Sequence, residues 1–246
     1  MNLSPPLITG LHQYFQNSGA QKAIVGVSGG VDSAVTLSIA VRALGHSRVI
    51  PVLMPFQIGK ISSHENFEDA KNICALFHTT PRIFQLDDFF APYEQNMPEM
   101  AQQMVTGNTL ARIRMTILFA LANAENGLVL GTCNKTEVLL GYETKFGDGA
   151  ADISVLGDLW KTEVWEMAKE LDLPEIFITK TPSAELFEGH TDEGELGFSY
   201  IQADNILQAL ENGEELEKTP TLERIQMLIK KSEHKRISIP VLPKSV

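Results

Sequence analysis

Two hydroxyls, a carboxylate and a pair of glycines stand together in Ser28-Gly29-Gly30-Val31-Asp32-Ser33. The run follows the apolar stretch Ala23-Ile24-Val25-Gly26-Val27 and precedes a helical pattern reaching about Leu44, so it reads as strand, glycine turn, helix. The first N–H groups of such a helix point with its dipole into the turn, which suits an anion and above all phosphate. The G-x-x-x-x-G-K-[ST] spacing and its lysine are missing, so the loop is not of the Walker A type. A carboxylate beside phosphate repels it unless a divalent cation lies between them, which makes Asp32 a candidate Mg²⁺ ligand and the ligand a Mg-nucleotide. The plainer alternative leaves the glycines to the turn alone, with Ser28 as N-cap and Asp32 favourable in the first helical turn.

Glu137 follows Thr132, at the end of a later strand, by five residues. If the two strand ends adjoin, Glu137 and Asp32 approach one Mg²⁺ from opposite sides; otherwise Glu137 is a solvated glutamate at a helix start. Lys161, after Gly157-Asp158-Leu159-Trp160, either neutralises phosphate charge in a transition state or is an ordinary surface lysine. Arg112 and Arg114, two apart on an apolar helix, must face different ways. They are either paired structurally or reach a ligand or partner chain.

Strands at 23–27, 48–54, 82–86 and 128–130 alternate with helices at 63–77, opening with Ser63, and at 92–125, broken near Gly107. A helix at 7–16 covers the sheet, and Pro51 inside the second strand is a mild objection to it. This order predicts an α/β fold, a Rossmann-like open parallel sheet with helices on both faces, ligands binding beyond the carboxyl ends of its strands. The ends after Val27 and Leu130 should lie side by side. Residues 133–157 lack a long periodic element and read as functional loop, 161–173 as a helix stopped by Pro174, and 180–197 as a mobile active-site cover. Helices at 199–211 and 219–232 form a C-terminal extension to a single domain over 1–246.

The formal charge of −11 opposes nucleic acid as the main partner. No apolar run approaches a membrane span and the N-terminus lacks a signal pattern, so a cytoplasmic protein with no membrane partner is expected. Cys74 and Cys133 are too few and too far apart for a zinc site or a disulfide framework, and Cys74 falls on a core-facing helix stripe.

The loop 28–33 resembles the pyrophosphate loop of the N-type ATP pyrophosphatases, which split ATP between its α and β phosphates to adenylate a substrate oxygen. Within that superfamily, five further stretches are similar to the ammonia-dependent NAD synthetases: Gly131 to Glu137, Thr144 to Asp152, Gly157 to Lys161, Thr181-Pro182-Ser183-Ala184-Glu185-Leu186, and Glu233-His234-Lys235-Arg236. The resemblance implies the adenine nucleotide alpha-hydrolase-like fold and a ligase that amidates nicotinic acid adenine dinucleotide to NAD through an adenylated carboxylate, releasing AMP and pyrophosphate. It implies ATP phosphates on Ser28, Gly29, Gly30, Val31, Asp32 and Ser33, with Thr132, Lys161 and Ser183 also on ATP, and Mg²⁺ on Asp32 and Glu137. It further implies Arg114, Lys145, Asp152, His234 and Lys235 on the dinucleotide and Asp148 on ammonium, and together with the apolar helix 108–122 it suggests a homodimer with the dinucleotide bound near the interface. Cys133 and Asn134 stand where Asp and His are common in the family, Ala150 where Gly is, and Glu143 where an aromatic residue is.

A carboxylate is a poor electrophile, and adenylation gives it a leaving group. Asp148 would then hold ammonium and accept its proton, while closure of 180–197 keeps water out. Glutamine-using relatives need a nucleophilic cysteine after the initiator methionine or in an added domain; residue 2 is Asn, so free ammonia, or ammonia from a separate protein, is expected. A tRNA thiolase or GMP synthetase core is opposed by the acidic charge, the missing Cys-x-x-C and the Asp148/Asp152 loop. A silent nucleotide sensor is opposed by the joint presence of Asp32, Glu137, Asp148 and Lys161.

Overall fold

Ala23, Ile24 and Val25 are wholly buried in β1 (Lys22–Gly26), as a strand covered on both faces requires. The computed structural model describes residues 3–58, 61–62, 64–183 and 189–244. Around β1 the chain runs through α1 (Ser4–Ser18), α2 (Val31–Leu44), β2 (Val49–Leu53), a small hairpin of β3 (Gln57–Ile58) and β4 (Ile61–Ser62), α3 (His64–Leu76) and β5 (Arg82–Ile83). Then come α4 (Leu86–Asn96), α5 (Gln103–Ala124), β6 (Gly127–Gly131), α6 (Lys135–Leu140), β7 (Ile153–Ser154) and α7 (Lys161–Glu170). The short α8 (Glu175–Thr179) and α9 (Asp192–Leu196) precede α10 (Tyr200–Glu211) and α11 (Pro220–Arg236). The main sheet is parallel, in the order β5-β2-β1-β6-β7, and α/β as the sequence pattern predicts. Its connections diverge at the β1/β6 pair, the switch point where open α/β sheets take their ligands.

Side-chain alternation divides the core. Ala23 and Val25 pack with Leu11, Phe15, Val35, Ile39, Val164 and Met167 from α1, α2 and α7. Ile24 packs on the other face with Val52, Val129, Leu110, Ile113 and Ile117. A third cluster, around Leu140, Trp160, Tyr200, Leu207 and Ile225, attaches α10 and α11 to α6.

Pro51 is accommodated although β2 is an inner strand. The Val52 carbonyl accepts from Val27, just past β1, whereas that of Leu53 accepts from Phe84, so Pro51 shares its outward side with Leu53. There β5 pairs only Val52 and Leu53, and the missing N–H falls before that ladder begins.

Several expected boundaries move. The third strand keeps only Arg82–Ile83, because Leu86 opens α4, with Asp87 and Asp88 in its first turn. The helical break near Gly107 is not there: α5 runs through it, and the break falls at Met97-Pro98, followed by a 3₁₀ turn at Pro98–Ala101. The supposed loop 133–157 holds α6 and β7, and the helix from Lys161 ends at Glu170, before Asp172 at φ +55°. Ser63 and the 184–188 part of the expected cover lie outside the described residues. Among the described residues no helix is long and apolar enough to cross a membrane.

Candidate active site

Gly29 takes φ +88°, and a Cβ there would stand 2.1 Å from the Asn66 backbone oxygen, so this turn requires glycine. Gly30, not Ser28, is the N-cap of α2, and no side chain caps that end. Ser28 instead folds the turn upon itself: its N–H donates to Ser33 Oγ at 3.2 Å, and its own Oγ accepts from Gly30 N at 3.3 Å. The result is a helix N-terminus facing outward at the carboxyl end of β1, the arrangement that accepts phosphate.

Beside it, at the carboxyl end of β6, Asn134 caps α6 in a reciprocal box: Glu137 N donates to Asn134 Oδ1 at 3.0 Å and Asn134 N to Glu137 Oε2 at 3.2 Å. Asn134 Nδ2 also donates to Asp32 Oδ1 at 2.8 Å. Lys161, at the start of α7 and 2% exposed, donates to the other oxygen of each acid, Asp32 Oδ2 at 2.5 Å and Glu137 Oε1 at 3.2 Å. Each carboxylate therefore turns one oxygen to Asn134 and the other to the ammonium. Glu137 is both helix-start glutamate and partner of Asp32, while the surface reading of Lys161 is overturned by its burial.

Burial pushes the carboxyl of Glu137 up to about 8; Lys161 opposes the shift and Asp32 adds to it. Burial works against charge on Lys161, but Asp32 and Glu137 outweigh it and hold the ammonium above its ordinary range. Its Nζ also lies 5.0 Å from the ring centroid of Tyr200.

A buried scaffold sets these positions. Asp204, 1% exposed on α10, accepts from Thr136 Oγ1 at 2.5 Å and Thr162 N at 2.8 Å, and Thr136 Oγ1 accepts from Lys161 N at 3.0 Å. One carboxylate thus joins α6, α7 and α10. Tyr200 donates to Asp192 at 3.1 Å, and Tyr142 donates to Asp192 at 3.3 Å and to Glu195 at 2.7 Å. His190 pairs with Glu195 at 2.9 Å, and Ser183 Oγ donates to the His190 carbonyl at 2.6 Å. Ser183 is thereby linked to Lys161 through that chain of side chains.

Lys145, His234, Lys235 and Asp148 gather around the turn 141–149. Lys145 Nζ donates to the His234 carbonyl, and Lys235 Nζ to the carbonyls of Gly141, at 2.7 Å, and Glu143. Asp148 Oδ1 accepts from Thr144 N at 2.9 Å. Arg236 fans across the carbonyls of Leu139, at 2.8 Å, and Ile229, at 2.7 Å, clamping α11 to α6. Burial, then Asp148, raises the carboxyl of Glu143, and burial lowers the Lys235 ammonium. Cys133 Sγ meets the Asp148 carbonyl at 3.5 Å, and burial, with Asp148 next, drives its thiol well up.

Arg112 and Arg114 do diverge: Arg112 donates to the Lys145 carbonyl at 3.4 Å, and Arg114 lies over the Phe56 ring at 5.2 Å. Asp152 serves the sheet, accepting from Val129 N at 2.8 Å. Thr132 is half-buried just beyond β6. Cys74 is core, as expected, its thiol pushed up to about 12 by burial although a bond with Thr79 opposes it.

Sequence reasoning missed Asn134, Thr136, Tyr142, Tyr200 and Asp204. For Asn134 a signal existed: Asn134-x-x-Glu137 ahead of Val-Leu-Leu is a capping box. Among the described residues no group of three or more His, Cys, Asp or Glu forms a metal cage. A pair of acids already sharing a cation nevertheless suits Mg²⁺, which completes its shell with phosphate and water.

A curated relative from Methanosarcina acetivorans, the NH(3)-dependent NAD(+) synthetase, is 40% identical over 234 residues, covering 91% of each chain. Among solved structures, NMN synthetase from Francisella tularensis superposes with TM-score 0.88 at 33% identity, covering 98% of this chain and 97% of that one. The NH3-dependent NAD synthetase from Campylobacter jejuni, solved with nitrate, gives 0.82 at 32% with the same coverage. The sequence also matches the NAD synthase family over residues 5–239, and the chain belongs to that family.

Proposed function

We propose that this chain makes NAD by ATP-dependent amidation of nicotinic acid adenine dinucleotide with ammonia, releasing AMP and pyrophosphate. The observation that carries the proposal is the meeting of Asp32, Glu137 and Lys161 at the adjoining carboxyl ends of β1 and β6, beside a helix N-terminus without a side-chain cap.

In this reading the nicotinate carboxylate attacks the α-phosphorus of ATP and pyrophosphate departs; ammonia then attacks the acyl carbon and AMP departs. Ser28 to Ser33 cradle the phosphates, Thr132 and Ser183 add contacts to ATP, and Lys161 takes up charge on the departing pyrophosphate. Asp32 and Glu137 would hold Mg²⁺, which when bound neutralises phosphate charge. Arg114, Lys145, Asp152, His234 and Lys235 bind the dinucleotide, and Asp148 orients ammonium and takes its proton. Lys145, His234, Lys235 and Asp148 already surround one turn, which supports a shared substrate wall. The enzyme works as a single domain, in a cytoplasmic homodimer, on small molecules and not on nucleic acid.

The test follows AMP and NAD together with deamido-NAD, Mg-ATP and ammonium, glutamine replacing ammonium in parallel. Equal AMP and NAD with ammonium alone is the expected result; AMP without NAD would leave adenylation but sink the acceptor or the nitrogen source. The Francisella neighbour's name favours a second reading, in which the acceptor is nicotinic acid mononucleotide. An arm with that mononucleotide, followed by its amide, decides between them.

A further inference from the structure

The four oxygens of the acid pair are all engaged. Asn134 takes Asp32 Oδ1 at 2.8 Å and Glu137 Oε2 at 3.2 Å, and its bond to Glu137 is part of the cap that starts α6. Lys161 takes the two that remain, at 2.5 and 3.2 Å, from a position 2% exposed. A divalent ion bound at oxygen distances of about 2.1 Å on this pair would stand within a few ångströms of the ammonium, in a low-dielectric site where like charges repel strongly. Two cations on the pair would repel each other at that range, and the bond from Asn134 N to Glu137 cannot be given up without loosening the start of α6.

We propose that Lys161 is the resident cation of the nucleotide-free protein and must leave the acid pair before a metal ion can be held there. The triphosphate is what draws it away. ATP brings the metal and, at the same time, an anion to receive the displaced ammonium, so metal and nucleotide enter together and neither acid is left buried without a cation. The side chain that neutralises departing pyrophosphate is thus also the one that keeps metal out beforehand. This inference rests on the proposed use of Asp32 and Glu137 as metal ligands, not on the identity of the acceptor.

The experiment measures Mn²⁺ binding to the full chain without nucleotide, by loss of the free-ion electron paramagnetic resonance signal and by the metal-induced change in Tm. Lys161→Met should bind Mn²⁺ roughly tenfold or more tighter than wild type. Its Tm should rise with Mn²⁺, while that of wild type rises only when a non-hydrolysable ATP analogue is added with the metal. Lys169→Met removes a lysine exposed on the same helix and should leave Mn²⁺ affinity unchanged, separating displacement from net charge. Adding Asp32→Asn to Lys161→Met should abolish the gain. Wild type binding Mn²⁺ alone as tightly as Lys161→Met, or the double variant keeping the gain, would overturn the proposal. No turnover enters these readouts, so failure to form NAD would strike the proposed function and leave this inference standing.

Discussion

Asp148 holds its own turn through Oδ1, which accepts from Thr144 N at 2.9 Å, and an amide at that position keeps the acceptor. Asp148→Asn therefore removes the charge without undoing the turn. NAD formation should fall by about a hundredfold while AMP release falls less, read as the AMP-to-NAD ratio; an equal fall in both would remove Asp148 from proton transfer. Gly29→Ala is a stricter change, since φ +88° and the 2.1 Å approach of Asn66 O leave no room for a methyl group. Nucleotide-dependent thermal stabilisation should vanish, at a cost in stability of about 1–3 kcal/mol. The loop was legible in the sequence because glycine conformation and helix-end polarity are local properties. Lys161 could be taken for a surface lysine because its burial depends on Tyr200 and two acids far along the chain. Asn134 was legible as a helix cap through Asn134-x-x-Glu137, but its bond to Asp32 was not, since a bridge between two carboxylates leaves no periodic trace.

Helices α6, α7 and α10 meet on the buried carboxylate of Asp204, whose partners would be left unpaired by Asp204→Ala. Unfolding free energy in urea should drop by about 2–4 kcal/mol, and turnover should fall because Glu137 and Lys161 lose a common support. Helix α1 has no side-chain cap of its own; Glu170, the last residue of α7, accepts Leu3 N and Ser4 N, each at 2.9 Å. Burial opposes the charge, but bonds from Ser4 and Leu3 hold the Glu170 carboxyl below its ordinary range. The unfolded chain therefore takes up this proton first as pH falls. The stabilisation is present above the unfolded pKa of about 4.3 and is lost as pH falls through the lower folded value. Between about pH 5 and 3, wild type should lose more stability than Glu170→Gln, measured by thermal melts. At this scale the alternation of strand and helix was readable, but the edges were not. Leu86 looked like strand until Asp87 and Asp88 began a helix, and Gly107 was tolerated because α5 is held by Leu110, Ile113 and Ile117 in the core.

The main sheet is parallel, and its switch point was foreseeable from the strand ends richest in polar residues, which belong to the adjoining β1 and β6. The α10–α11 extension was seen as helices, but its grip on α6 through Arg236 was not, because backbone carbonyls as partners have no sequence signature. Light scattering should give twice the 27.1 kDa chain mass, and a monomer at working concentration would remove the proposed homodimer. The hydrogen bond from Ser4 N to Glu170 spans 166 residues, and that from Arg236 to Leu139 spans 97. A chain leaving the ribosome amino end first thus exposes its phosphate loop long before Lys161, Tyr200 and Arg236 have been made. Until then the loop is a shape without the cation that its Asp32 pairs with.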